Sequence, residues 1–118
     1  MIKHNFKKLI IWKEAMDLSD LIFQFTESLP LKEKFNLIEQ LNRASVSIPS
    51  NIAEGSGKRT EKHFAEFLSI SLSSTYEVET QSLICERRKF GDAKILTDLL
   101  NRVNTLQKKI YNFREKIG

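Results

Sequence analysis

The 118-residue chain contains one cysteine, two prolines and four glycines. A lone Cys85 excludes an internal disulfide framework and a multi-cysteine zinc site, and is expected to be a small, buried or half-buried apolar residue. So few turn formers, beside plentiful Leu, Ile, Lys, Glu and Ser, exclude an all-β fold and suit long helices. No apolar run of about 18 residues occurs, and no basic segment followed by a hydrophobic one opens the chain at Met1. Neither a membrane span nor a secretory signal is visible, so a cytoplasmic location is the expectation. Histidine is almost absent. Neither His4 nor His63 has Glu three residues before it, whereas a di-iron carboxylate bundle needs two such pairs. No Cys, Ser or acid spacing supports a nucleophile triad. We therefore expect no metal, no cofactor and no enzymatic reaction.

What is present is ordinary in amount: 41% hydrophobic and 29% charged residues, the balance of a single soluble domain over residues 1–118. The net charge of +4 is uneven. Residues 1–40 balance and 41–80 carry one more acid than base, while 81–118 hold nine Lys and Arg against four Asp and Glu. A basic excess of this kind suits a polyanionic partner or simply a solvated surface. Gly55-Ser56-Gly57-Lys58-Arg59-Thr60 has the look of a phosphate loop, but that pattern needs Ser or Thr after Lys and Gly five positions before Gly57. Here those positions are Arg59 and Ile52.

Punctuation divides the chain into four segments of helical length, ending near Leu29-Pro30, at Gly55-Ser56-Gly57, at Phe90-Gly91 and at the C-terminus. In the first, Ile11, Ala15, Leu18, Ile22, Phe25 and Leu29 form a heptad-like stripe. A second apolar set, Leu9, Trp12, Met16 and Phe23, falls roughly 100–160° around the same helix, and predicts an oligomer interface ahead of an overwide core. The second segment has Asn36 with Glu39 three residues on, a capping-box pattern that predicts a main helix from Leu37. Pro49 removes one backbone donor and predicts a bend rather than an end, because apolar spacing resumes at Ile52 and Ala53. Thr60 is the predicted N-cap of the third helix, whose face is Phe64, Leu68, Ser71, Thr75, Val78 and Ser82. The fourth carries Leu96, Leu99, Val103, Leu106, Ile110, Phe113 and Ile117, flanked by Arg102, Lys109 and Lys116 every seven residues. Short connections make sequential helices neighbours, so the predicted fold is all-α, an antiparallel up-down-up-down four-helix bundle.

The run Gln40-Leu41-Asn42-Arg43-Ala44-Ser45-Val46-Ser47-Ile48-Pro49-Ser50-Asn51-Ile52-Ala53-Glu54-Gly55 closely resembles the signature of the 23S rRNA intervening-sequence protein family, also called the four-helix bundle protein family. Upstream, Phe6-Lys-Lys-Leu-Ile-Ile-Trp12-Lys-Glu-Ala15 is similar to that family's opening. Downstream, Phe67-Leu68-x-Ile70 and Tyr76-Glu77-Val78-Glu79-Thr80-Gln81 continue the likeness, while the last helix matches in pattern only. The chain departs from the pattern at Ser73, where Gly is common, and at Asn42, where a second basic residue often precedes Arg43. The resemblance implies an up-down bundle assembling as a homopentamer, encoded in some members within 23S rRNA genes, with no known reaction. It also implies nucleic-acid binding, and a related branch serves as the accessory variability protein of diversity-generating retroelements beside a reverse transcriptase and its RNA.

Candidate sites follow. Arg43, Asn51, Glu54, Glu77 and Glu79 carry the polar part of the motif. Arg43 and Glu54 lie about three helical turns apart, so each needs a partner on another helix, within the bundle or in another subunit, and a buried Arg–carboxylate pair would set packing register or subunit orientation. The topology brings Lys3, Lys7, Lys8, Lys58, Arg59, Lys62, Arg114 and Lys116 to one end, near the positive end of helix 3, a seat for phosphate. The predicted nucleic-acid contacts are Lys58, Arg59, Lys62, Arg102, Lys109, Arg114 and Lys116, with RNA ahead of DNA. Arg87, Arg88 and Lys89 fall at the other end. The alternative is a protein-interaction scaffold or accessory subunit, such as one serving a reverse transcriptase, with the basic residues incidental.

Overall fold

The computed structural model describes residues 4–117, so Lys3, expected among the basic residues of one end, lies outside them. Four helices account for most of the chain: α1 (Ile10–Thr26), α2 (Glu39–Ser56), α3 (Glu61–Arg88) and α4 (Ala93–Ile117). They form a rod of 47 × 23 × 20 Å. The helix-period stripes are the core. Ile11, Ala15, Leu18, Ile22, Phe25 and Leu29 are all buried, as are Phe64, Leu68, Val78 and Cys85 of α3 and Leu96, Leu99, Val103, Leu106 and Ile110 of α4. Each such Leu, Ile or Phe contributes on the order of 1.5–3 kcal/mol through loss of apolar surface to water.

Cross-helix hydrogen bonds fix the topology. Thr26 donates to Asn42 and Ser19 pairs with Ser45, so α2 runs back along α1. Ser71 donates to the Ile48 carbonyl and Gln81 to Gln40, so α3 reverses on α2. Gln107 donates to Glu79 and Arg114 to Ser69, so α4 reverses on α3. Lys109 of α4 donates to Glu14 of α1, which closes the ring, also antiparallel. The bundle is up-down-up-down, with the α1 start, the α2–α3 loop and the α4 end together.

The helix ends follow local chemistry. At the end of α1, the Thr26 and Ser28 hydroxyls donate to the Phe23 and Phe25 carbonyls, which also accept from the backbone N–H groups of Glu27 and Ser28. Thr60 caps α3 as its spacing predicts, its hydroxyl accepting from the His63 N–H. Asp92 accepts from the Lys94 and Ile95 N–H groups at the start of α4. Between α3 and α4 the chain turns through Lys89 and Gly91, both at positive φ. A Cβ on Gly91 would also lie 2.7 Å from the Phe25 ring. Pro49 is buried inside α2, which continues through it to Ser56.

One expectation about α2 is corrected. Asn36 is no cap: the backbone already winds from Lys34 in a wide π-helical stretch, Lys34–Ile38, and α2 proper starts at Glu39. The Asn36 side chain donates to Glu33 and accepts from Gln40 instead. A residue whose neighbours on both sides are already helical meets no open N–H groups to cap.

Candidate nucleic-acid interface and association surfaces

The convergence of chain start, α2–α3 loop and α4 end is built on aromatic packing. The Phe64 and Phe113 rings meet edge to face at 5.7 Å, and His4 lies 5.2 Å from Phe64 and 6.0 Å from Phe113. Gly55 lets α2 close on α3 here, its Cα facing Phe64 and Phe67. Outside this cluster stand Lys7, Lys8, Arg59, Lys62 and Lys116, all exposed. Lys58 is half-buried, with its ammonium 4.9 Å from the centre of the Phe67 ring. A cation over an aromatic face is held there by the ring's quadrupole.

Not all seven predicted contacts join this group. Arg102 is bound to Asp98 on its own helix at 3.0 Å, and it lies fourteen residues, about 21 Å of helix rise, from Lys116. It belongs to the middle of the rod. Lys109 is held by Glu14 at 2.8 Å. Arg114 is half-buried, donating to Ser69, pairing with Glu115 at 3.4 Å and stacking on Tyr111. The heptad spacing puts Arg102 and Lys109 on one side of α4, and Asp98 four residues before Arg102 is legible in the sequence, but the acid that holds Lys109 comes from α1 and is not. The phosphate seat at the α3 start is also partly occupied: Thr60 takes the His63 N–H and Glu61 stands in the first turn. Of the seven, Lys58, Arg59, Lys62 and Lys116 are the ones that the structure groups at this end without an acidic partner among the described residues.

The polar motif is a seam rather than a buried ion pair. Asn51 donates to the Ser47 carbonyl and hydroxyl, and Ser74 donates to Ser47 across the α2–α3 contact. Gln81 donates to Gln40 and Glu77, and Glu79 accepts from Gln107 of α4. The intrabundle reading of Arg43 is corrected: its side chain is 75% exposed and pairs with Glu39 one turn away. It sits about 200° around α2 from Leu41, so it points away from the core. Glu54 is likewise exposed. Asn42, by contrast, is a bundle residue, its carbonyl oxygen taken by Thr26.

The apolar set on α1 divides. Trp12, half-buried against Phe6 at 5.2 Å, and Met16 line a shallow groove of about 350 Å3 with Ser19, Val46, Pro49, Ser50 and Ala53. Met16, Phe23 and Val46 are exposed. Leu9 does not share that face: it precedes the helix in extended conformation and lines a different cleft, between α1 and α4. Helical angles do not apply to a residue outside the helix. Val46 and Pro49 were not linked to this surface by sequence, because they lie in the signature of another helix.

Cys85 is buried at the far end, and burial, with a smaller contribution from the Glu33 carboxylate, pushes its thiol up to about 11. It is a packing residue and not a nucleophile. Among the described residues, no helix is long and apolar enough to cross a membrane.

The description of the 23S rRNA-intervening sequence proteins matches residues 7–112. The chain belongs to that family. A crystal structure from Bacteroides thetaiotaomicron, described as a protein of unknown function from the S23 ribosomal protein family, superposes with a TM-score of 0.82. It is 19% identical, and the match covers 89% of this chain and 98% of that one, so it speaks for the fold. No curated protein matches.

Proposed function

We propose that this intervening-sequence family member is a non-enzymatic, self-associating bundle, assembling as a homopentamer, that binds nucleic acid, RNA ahead of DNA, through its basic end. The observation that carries the reading is the grouping of Lys58, Arg59, Lys62, Lys7, Lys8 and Lys116 around the converging α1 start, α2–α3 loop and α4 end. Phosphate contacts of this type are sequence-independent and weaken linearly on a log–log salt plot. Self-association is supported by the groove of Trp12, Met16, Val46 and Pro49, and would multiply the basic field by the number of copies.

The test is titration of the full chain into labelled structured RNA and duplex DNA at several salt concentrations, beside the Lys58→Ala/Arg59→Ala/Lys62→Ala variant. Salt-sensitive binding with a shallower slope in the variant supports the reading. Absence of binding at low salt removes it.

A second reading, a scaffold for another protein, is favoured by one feature of the opposite end. Leu31 and Phe35 are 80% and 83% exposed on the segment joining α1 to α2, near Phe90, over which Lys32 lies. Two bare apolar side chains one turn apart are an economical protein anchor. Leu31→Ser/Phe35→Ser abolishing capture of a partner, with RNA binding absent in the parent, would favour this reading.

A further inference from the structure

The cleft between the start of α1 and the end of α4 combines aliphatic and aromatic side chains, three lysines and an amide. Its volume is about 470 Å3, and Leu9, Ile10, Ile11, Asn112 and Phe113 line it, with Lys8, Lys109 and Lys116. Ile10 is 66% exposed although it is a large aliphatic residue. Lys8 comes from the α1 side and Lys109 and Lys116 from the α4 side, so positive charge stands on both walls of an apolar trough. Lys109 is engaged with Glu14, which leaves Lys8 and Lys116 as the cations of the two walls. No acidic residue occupies the first turn of α1, and Leu9 supplies no side-chain cap, so the positive end of that helix also opens toward the cleft.

We propose that this cleft receives one unpaired nucleotide of a nucleic-acid strand, its base against Leu9, Ile10, Ile11 and Phe113 and its flanking phosphates toward Lys8 and Lys116. The inference rests on the nucleic-acid reading above and narrows its substrate to strands with unpaired bases. A singly charged amphiphile would need one cation; lysines on both walls suit a polyanion passing across. Asn112 offers a donor and an acceptor, which an alkyl chain does not use and a base edge does. The volume lies within the range of about 300–1,000 Å3 usual for small-molecule sites. A stacked, paired base cannot enter, so duplex meets only the lysines.

The test compares a labelled single-stranded RNA of about ten nucleotides with its blunt duplex, using the full chain and the Ile10→Ser and Asn112→Leu variants. Both positions are exposed, so the fold tolerates the changes, and neither alters charge. The expected result is tighter binding of the single strand, by about fivefold, and a similar loss in each variant for the single strand alone, with an unchanged salt slope. Equal affinity for both RNAs, or variants that leave single-strand affinity intact, would overturn the cleft assignment while salt-sensitive binding upheld the parent reading. Binding of neither RNA at low salt overturns both.

Discussion

Gly55 of α2 and Phe67 of α3 are packed so closely that a Cβ on the glycine would lie 2.6 Å from the phenylalanine Cβ and 2.9 Å from Phe64 Cδ1. The first of these atoms is anchored to the backbone, so the helices themselves would have to part. Overpacking of this kind costs about 1–3 kcal/mol, against about 1 kcal/mol gained by placing Ala in a helix. Gly55→Ala should lower Tm by several degrees, roughly 4 °C per kcal/mol. Gly57→Ala, whose Cβ would meet nothing nearer than 3.6 Å at φ −90, should leave Tm level or raise it. Thermal unfolding by circular dichroism checks the pair, and equal behaviour would refute the close approach.

Ser71 and Arg43 should reverse the importance their chemistry suggests. The buried Ser71 hydroxyl ties α3 to the Ile48 carbonyl at 2.8 Å, so Ser71→Ala should cost about 1 kcal/mol. Arg43 forms an exposed pair with Glu39, so Arg43→Ala should change stability by roughly 0.5 kcal/mol or less. Urea unfolding of the two variants measures both.

Cys85 links packing to pH. Its thiol ionises more easily in the unfolded chain, near the ordinary value of 9.0, than in the fold, where it is held up to about 11. The stability this represents is complete below about pH 9 and is lost as pH rises through 11. Wild type should therefore lose more stability between these values than Cys85→Ala does. The native thiol should also resist alkylation at pH 8 and react at once in denaturant.

Trp12→Arg should preserve helix content, because its side chain is only half-buried on the outer side of α1, yet reduce the solution mass measured by light scattering. A mass equal to that of the wild type would take the interface away from this groove. Leu9→Ser, on the α1–α4 side, should leave the mass as it was.

Basic residues should separate by their partners. Arg59→Ala should lower the log–log salt slope for RNA by roughly 0.7–0.9, the contribution of one phosphate contact. Arg102→Ala, held by Asp98 in the middle of the rod, should leave the slope unchanged. Equal effects would show that binding spreads along α4.

Much of the architecture was legible from spacing. Ile11 to Leu29 and Leu96 to Ile110 recur every three or four residues, and burial of such stripes is the dominant favourable term in folding, so period alone identifies helices and core. Thr60 was equally legible, since a cap is a local hydrogen bond made within three residues. Asn36 was not, because whether a polar residue caps depends on where the helical backbone begins, and here the wider turn from Lys34 begins it earlier.

The site divides along the same line. Composition and order along the chain determined a four-helix bundle, the signature run of α2, and a basic group at one end, all properties carried by periodicity and short connections. Tertiary structure alone decided that Lys109 is spent, since Glu14 reaches it over ninety-five positions, whereas the Glu39–Arg43 pair is a local contact one helical turn apart. It alone decided that Leu9 faces α4 while Trp12 faces α2, and that Ile10 and Asn112 stand together. Charge pairing and cleft formation depend on distances between helices, and those distances are set by packing, such as Gly55 against Phe67, which linear order does not express.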